Sequence, residues 1–197
     1  PLIDIQIEKV ILEIGLHLNP DRLRDRLIEE VAMIEGEDVD IILGYGLCGR
    51  ALEGVFSMKS RLILPRVDDC VGAILGSRKN HQKVLADHPG SYFLDPEWVD
   101  TELDIFAQCQ KGLERIPVTR RPEIIKLVLK HYSKLAFLGE KQIAGRRGCQ
   151  CQKLAANHDL NFITIKPDLS LLKSLVDGFW SEKDFIILPP GEEIPFF

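Results

Sequence analysis

Two cysteines, Cys48 and Cys70, each sit in a short loop that follows an apolar run, and His17 follows a third such run. Thiolates and imidazole are the donors that hold thiophilic metals. Three donors with a fourth position open fit a catalytic or cofactor-receiving centre better than a closed structural one. The ligand set expected from the sequence is Cys48, Cys70 and His17, for a thiophilic metal or a metal-containing cofactor, with Asp69 orienting His17 or a bound water. The plainer alternative is two buried thiols and a loop histidine, since free cysteine often packs as a small hydrophobe.

The loop around Cys48 supports other chemistries. Gly44-Tyr45-Gly46-Leu47-Cys48-Gly49 satisfies G-x-G-x-x-G between an expected strand and a helix expected over residues 50–57. In that reading the backbone at Gly44, Tyr45, Gly46 and Gly49 cradles a phosphate at the helix N-terminus and Arg66 pairs with it bidentately. Asp68 or Asp69 then falls near the place of a ribose-binding acid, although Pro65 and Arg66 intervene between strand end and acid, and the motif does not follow an obvious first strand. The bland reading is a tight turn that brings backbone close to a neighbouring loop. Cys48 on a sharp strand-to-helix turn also suits a nucleophile, but no histidine with a partner carboxylate can be assigned as its base.

The other reactive residues read as structural. Cys109 belongs to the core of an amphipathic helix. Cys149 and Cys151, beside Arg146 and Arg147, fall in a loop or frayed helix end unless they act as a second ligand pair or a reactive thiol pair. His81, His88, His131 and His158 read as solvent-facing or capping, and Tyr92 and Trp98 as core or site wall.

The elements that must position these residues alternate between β-rich and helix-period runs, which predicts an α/β domain. Its expected form is three-layer and Rossmann-like, a mainly parallel sheet with helices on both faces. Strands are expected within residues 8–16 and at 39–43, 62–64, 91–94, 134–138, 162–165 and 185–188. Helices are expected from Pro20 to near Gly36, from about Val71, over 96–110, 122–132 and 169–176, and loosely from 140 towards His158, where Gly145 and Gly148 interrupt. Strands that run parallel put their exits on one edge, so the loops bearing His17, Cys48 and Cys70 are expected to converge there.

A chain of 197 residues buries ~70% of its unfolded surface and needs no staples. A single domain over 1–197 is the default, with residues 111–121 the one candidate seam. A net charge of −5 with both signs mixed gives no footprint for a phosphate backbone, so nucleic acid is not an expected partner. No apolar run approaches the ~20 residues of a membrane helix. Five cysteines without a secretory signal favour free thiols or metal ligands over a disulfide framework, and the expected location is cytoplasmic.

Further short motifs span nearly the whole chain. They are Leu62-Ile63-Leu64-Pro65-Arg66 with Asp69-Cys70, Leu75-Gly76-Ser77-Arg78, Gly90-Ser91-Tyr92-Phe93-Leu94 with Trp98, Leu16-His17 before Pro20, and Asp184-Phe185 with Pro189-Pro190-Gly191. With the glycine-cysteine loop they resemble the uncharacterised family called domain of unknown function 1638. The resemblance implies methanogens and other anaerobes, genes near corrinoid-dependent methyltransferase components, and Cys48 and Cys70 acting as a unit. It also implies a histidine where this chain has Asp68 and, before Pro1, a further strand bearing a cysteine. The expected function is a metal- or cofactor-binding accessory protein of anaerobic one-carbon metabolism, with a small molecule, a metal or a corrinoid-related protein as partner. The alternatives are an enzyme acting on a nucleotide or phosphate-bearing substrate at residues 44–49, and a protein interaction module.

Overall fold

The computed structural model describes residues 7–101, 104–139 and 145–195. Asn19 opens the first helix: its side chain accepts a hydrogen bond from the Arg22 N–H at 3.1 Å, and Pro20 occupies the first helical position, where its missing N–H costs nothing. Helix α1 (Pro20–Ile34) buries Leu23, Leu27 and Val31, one stripe at four-residue spacing. That stripe packs against strand β1 (Asp40–Ile42) and strand β2 (Arg61–Pro65), which run parallel with Ile41 opposite Leu62. Helix α2 (Cys70–Ile74) and helix α3 (Arg78–Asp87) lead to strand β3 (Ser91–Leu94). Helix α4 (Ile105–Gly112), helix α5 (Arg121–Leu129), strand β4 (Lys134–Leu138), helix α6 (Gly145–Asn157), strand β5 (Asn161–Ile165), helix α7 (Ser170–Val176) and strand β6 (Phe185–Leu188) complete the order.

The chain is a mixed α/β protein with two three-stranded sheets, β1-β2-β6 and β3-β4-β5. Both edges of β2 are occupied, by β1 in parallel and by β6 in antiparallel, so β3 cannot join it and opens the second, all-parallel sheet. Six of the expected strands form close to their expected places; one does not. Residues 8–16 contain no strand, and Ile14–Leu18 is a 3-10 helix. With no partner ladder on offer, Leu12 and Leu16, four apart, pack on the first core while Ile11 stays exposed. The helix expected over 50–57 is likewise absent. Cys48, Gly49, Arg50 and Gly54 take left-handed φ of 47°, 63°, 81° and 76°, which leaves only three-residue turns such as Glu53 N–H to Arg50 O at 3.1 Å. In the other direction, α3 is a helix the sequence pattern did not suggest, and the glycines of α6 do not break it: Gly148 and Cys151 are buried within it.

The candidate seam at 111–121 is a connection between two helices whose side chains share one core: Ile105 and Phe106 of α4 and Ile125 and Leu129 of α5 pack into the same cluster as Leu94 and Leu135. Among the described residues, no helix is long and apolar enough to cross a membrane.

Candidate functional site

Because β1 and β2 are parallel neighbours, the loops that leave their carboxyl ends also run side by side. The pairing continues past the strands. Leu47 N–H donates to Val67 O at 3.1 Å and Cys48 N–H to Asp68 O at 3.0 Å. Gly46 makes this approach feasible, since a Cβ there would lie 2.4 Å from the Asp69 carbonyl carbon, 2.5 Å from its oxygen and 2.6 Å from its Cα. The glycine of the second motif position thus admits the protein's own backbone. The left-handed run after it is held from outside: the Arg24 guanidinium of α1 donates to Arg50 O at 3.3 Å, and Arg50 Nε pairs with Glu53 at 2.6 Å.

This geometry brings the two predicted thiols together. The Cys70 thiol and the backbone N–H groups of Cys70 and Gly46 lie on the Cys48 side of the loop, where each favours the ionised form of the Cys48 sulfur. Hydrogen bonding to the charged form favours it. The Cys70 thiol is the largest influence on Cys48 and outweighs burial and the nearby Asp69 charge, so the Cys48 thiol is held below the usual range. The partner moves the opposite way. Its interaction with Cys48, burial, and the charges of Cys48 and Asp69 push Cys70 up. The two thiols are therefore shifted in opposite directions, Cys48 being the easier of the two to ionise. Both side chains are half-buried. Cys48 packs on the core of the first sheet, while Cys70 packs with Leu138, Phe93 and Ile165 of the second. The Cys70 loop thus leaves β2 of the first sheet and packs on side chains from the strands of the second.

Asp69 supports Cys70 from beneath. Its Oδ1 accepts from the Gly72 N–H at 2.9 Å, capping α2, and lies 3.5 Å from Nδ1 of His81. His81 is not solvent-facing as expected: it is 6% exposed, and its ring meets Phe93 edge to face at 5.8 Å. Sequence reasoning missed it because it comes from α3, a polar segment with one buried position. The signal that could have found the helix is Ser77, whose hydroxyl accepts from Asn80 N–H at 3.1 Å.

Other expected site residues lie differently. His17 belongs to the 3-10 helix, not to a strand exit, and its ring stacks on Trp98 with centroids 5.4 Å apart and planes 8° from parallel. Asp69 therefore faces His81 in place of His17. Among the described residues, no group of three or more His, Cys, Asp or Glu is arranged to hold one metal ion. Arg66 directs its fork at backbone carbonyls, Nε to Glu182 O and an Nη to Phe185 O, both at 3.2 Å, which pins β6 beside β2. With no helix after residues 44–49, the phosphate cradle loses the helix N-terminus on which it depended. Tyr45 lines the pair, its hydroxyl pushed up by burial and by the charge of Cys48. Asp68, where the resemblance implies histidine, is exposed and pairs with Arg78 Nε at 3.0 Å.

The remaining cysteines are not part of this arrangement. Burial pushes the Cys151 thiol to about 11 and raises Cys109, while Cys149 is exposed on α6. Tyr92 is a core residue whose hydroxyl accepts from the Ile105 N–H at 3.0 Å, and Trp98 serves as the platform beneath His17.

Compared with known protein families, residues 11–176 match the family described as protein of unknown function (DUF1638). No curated protein and no solved structure matches the chain.

Proposed function

We propose that this chain, which belongs to the DUF1638 family of proteins of unknown function, is an accessory protein that holds a thiophilic metal or metal-containing cofactor on Cys48 and Cys70. The observation that carries the reading is the side-by-side run of the two cysteine loops, with Leu47 N–H donating to Val67 O at 3.1 Å and Cys48 N–H to Asp68 O at 3.0 Å, which brings two thiols near enough to act on each other's ionisation. Coordinating sulfur is thiolate, so a site that favours ionisation of one thiol and places a second beside it is half formed before the ligand arrives. Soft sulfur donors select soft or borderline metals and leave magnesium and calcium to oxygen sites.

Two thiols are fewer donors than a closed structural site needs. With no third donor grouped with them among the described residues, the remaining positions of the ion are open to ligands brought by a cofactor or partner protein. That is the arrangement of a protein that receives and passes on a metal centre. A reducing cytoplasm, where free thiols persist, and the anaerobic one-carbon setting implied by the family resemblance belong to the same proposal.

The test is elemental analysis and absorption spectroscopy of protein purified without oxygen, comparing the natural chain with Cys48→Ser, Cys70→Ser and His17→Ala. Stoichiometric metal in the natural chain and in His17→Ala, lost in both serine variants, is the expected result. Substoichiometric metal in all four overturns the reading.

A further inference from the structure

The stretch that links α4 to β4 carries a charge that the whole-chain total conceals. Residues 111–134 hold seven Lys and Arg against two Glu, a net charge of +5, while the rest of the chain carries −10. We propose that the outward face of this stretch, centred on helix α5, docks on the anionic headgroups of a phospholipid bilayer, with Leu127 seated among the lipid chains and Arg120, Lys126 and Lys130 over the phosphates. The proposal is independent of the thiol site.

The packing of α5 fixes which side faces out. Ile125 and Leu129, four residues apart, join the core of the second sheet, and Leu127 lies two residues from each, ~200° round the helix from both. It is 64% exposed. Arg120, Ile124 and Leu127 follow at four- and three-residue spacing along that outward side, Lys130 comes three residues later, and Lys126 flanks them. Val118, 73% exposed in the turn before α5, and exposed Val128 add aliphatic surface between the cations.

Not every cation of the stretch is available. Arg121 donates to the carbonyls of Ile116 and Glu114, and Lys134 donates from Nζ to Pro89 O. Among the described residues, Arg115, Arg120, Lys126 and Lys130 form no ion pair. Glu123 is the one acid of α5, and it sits in the first turn, where the helix dipole favours it.

Exposed aliphatic side chains set between unpaired cations match the boundary layer of a bilayer. Basic side chains lay their methylene stems along the apolar layer and keep their heads at the phosphates, while an aliphatic side chain between them enters below. An anionic leaflet favours each nearby cation by roughly fivefold in partitioning. The same leaflet repels the remainder of the chain at −10, which leaves this face as the one that approaches. A single-stranded nucleic acid would instead be gripped by stacking, and no exposed Phe, Tyr or Trp stands between residues 111 and 134. With nine helical residues and one central leucine, the contact is peripheral and reversible.

The full chain is sedimented with sucrose-loaded vesicles of phosphatidylcholine, alone or mixed with phosphatidylglycerol. Binding to the mixed vesicles only is expected at ~0.1 M salt, with loss at ~1 M, where the screening length falls from ~10 Å to ~3 Å. Lys126→Ala with Lys130→Ala should lower the partition coefficient ~30-fold, and Leu127→Gln about tenfold. Lys79→Ala with Lys83→Ala, which removes two exposed cations of α3, should change it by less than about twofold, since they lie outside the docking face. The replaced side chains are exposed, and unchanged melting temperatures confirm that each variant is folded. A natural chain that stays in the supernatant with mixed vesicles overturns the proposal, and so does an equal loss from the α3 pair. Loss in the lysine variant with none in Leu127→Gln overturns the seating of Leu127. Binding to poly-L-glutamate or duplex DNA by a chain that ignores the vesicles assigns the face to an acidic macromolecule in place of a bilayer.

Discussion

Replacing Gly46 by alanine tests whether the close approach of the two loops is what builds the site. The three atoms nearest the added Cβ are all Asp69 backbone, at 2.4, 2.5 and 2.6 Å, about 1 Å short of the ~3.5 Å at which carbon atoms rest. Backbone cannot swing aside as the end of a side chain can, so the loops must part. Overpacking of this kind costs ~1–3 kcal/mol. Parting also stretches the Leu47-to-Val67 and Cys48-to-Asp68 hydrogen bonds, each worth ~1 kcal/mol net. The expected destabilisation is ~2–4 kcal/mol, which for a chain of this size lowers the melting temperature by roughly 5–15 °C. Two neighbouring glycines calibrate the result. A Cβ at Gly44 meets nothing within 4 Å, so Gly44→Ala should stay within ~0.5 kcal/mol of the natural chain. At Gly49 the space is open but φ is 63°, so Gly49→Ala should lose ~1–2 kcal/mol to strain. Thermal unfolding followed by circular dichroism gives the order. If Gly46→Ala melts within ~2 °C of Gly44→Ala, the close approach is not holding the loops in register and the argument fails.

Other expectations follow from the same contacts. Because the Cys48 thiol is held low chiefly by the Cys70 thiol, its alkylation by iodoacetamide should reach half its maximal rate below the ~8.5 of an ordinary thiol, and Cys70→Ala should move that midpoint upward; an unmoved midpoint removes the opposed shifts of the two thiols. Asp69→Ala uncaps α2 and should cost ~0.5–2 kcal/mol in chemical denaturation, whereas Asp69→Asn retains the cap and most of the stability. Arg66→Ala strips two carbonyls at the start of β6 of their donor and should lower stability by ~1–3 kcal/mol with no effect on thiol reactivity; a change in Cys48 alkylation with an intact fold would mean that Arg66 acts on the site directly.

The strands were legible in the sequence because β-rich apolar runs bounded by turn residues have few other ways to be buried. The runs at 62–64 and 134–138 became the two central strands, wholly or largely buried. The run at 8–16 has the same composition, but a strand exists only where a ladder partner exists, and that depends on edges elsewhere in the chain. The stretch at 50–57 misleads in another way. Ala51, Leu52 and Val55 carry helical spacing and are fully buried, yet Gly54 and the left-handed residues before it deny the backbone its four-residue bonds.

The same distinction separates the parts of the site. Cys48 and Cys70 were predictable neighbours because only local facts were needed: each follows a strand, the strands run parallel, and parallel exits share an edge. His17 was placed by the same rule and fails with it, since no strand precedes it. His81 depends on a different kind of fact. α3 is mostly polar and has one buried position, so nothing in its periodicity announces a face; it is fixed by Ser77 at its start and by Phe93 and Asp69 across from His81. Asp69 is the residue where these facts meet. Its backbone closes against Gly46, its carboxylate caps α2, and the same carboxylate faces His81 while its charge opposes ionisation of both thiols. That opposing charge adds to a stronger effect: Cys70 keeps its proton chiefly through its interaction with Cys48 and through burial, and the Asp69 carboxylate that builds the turn works in the same direction.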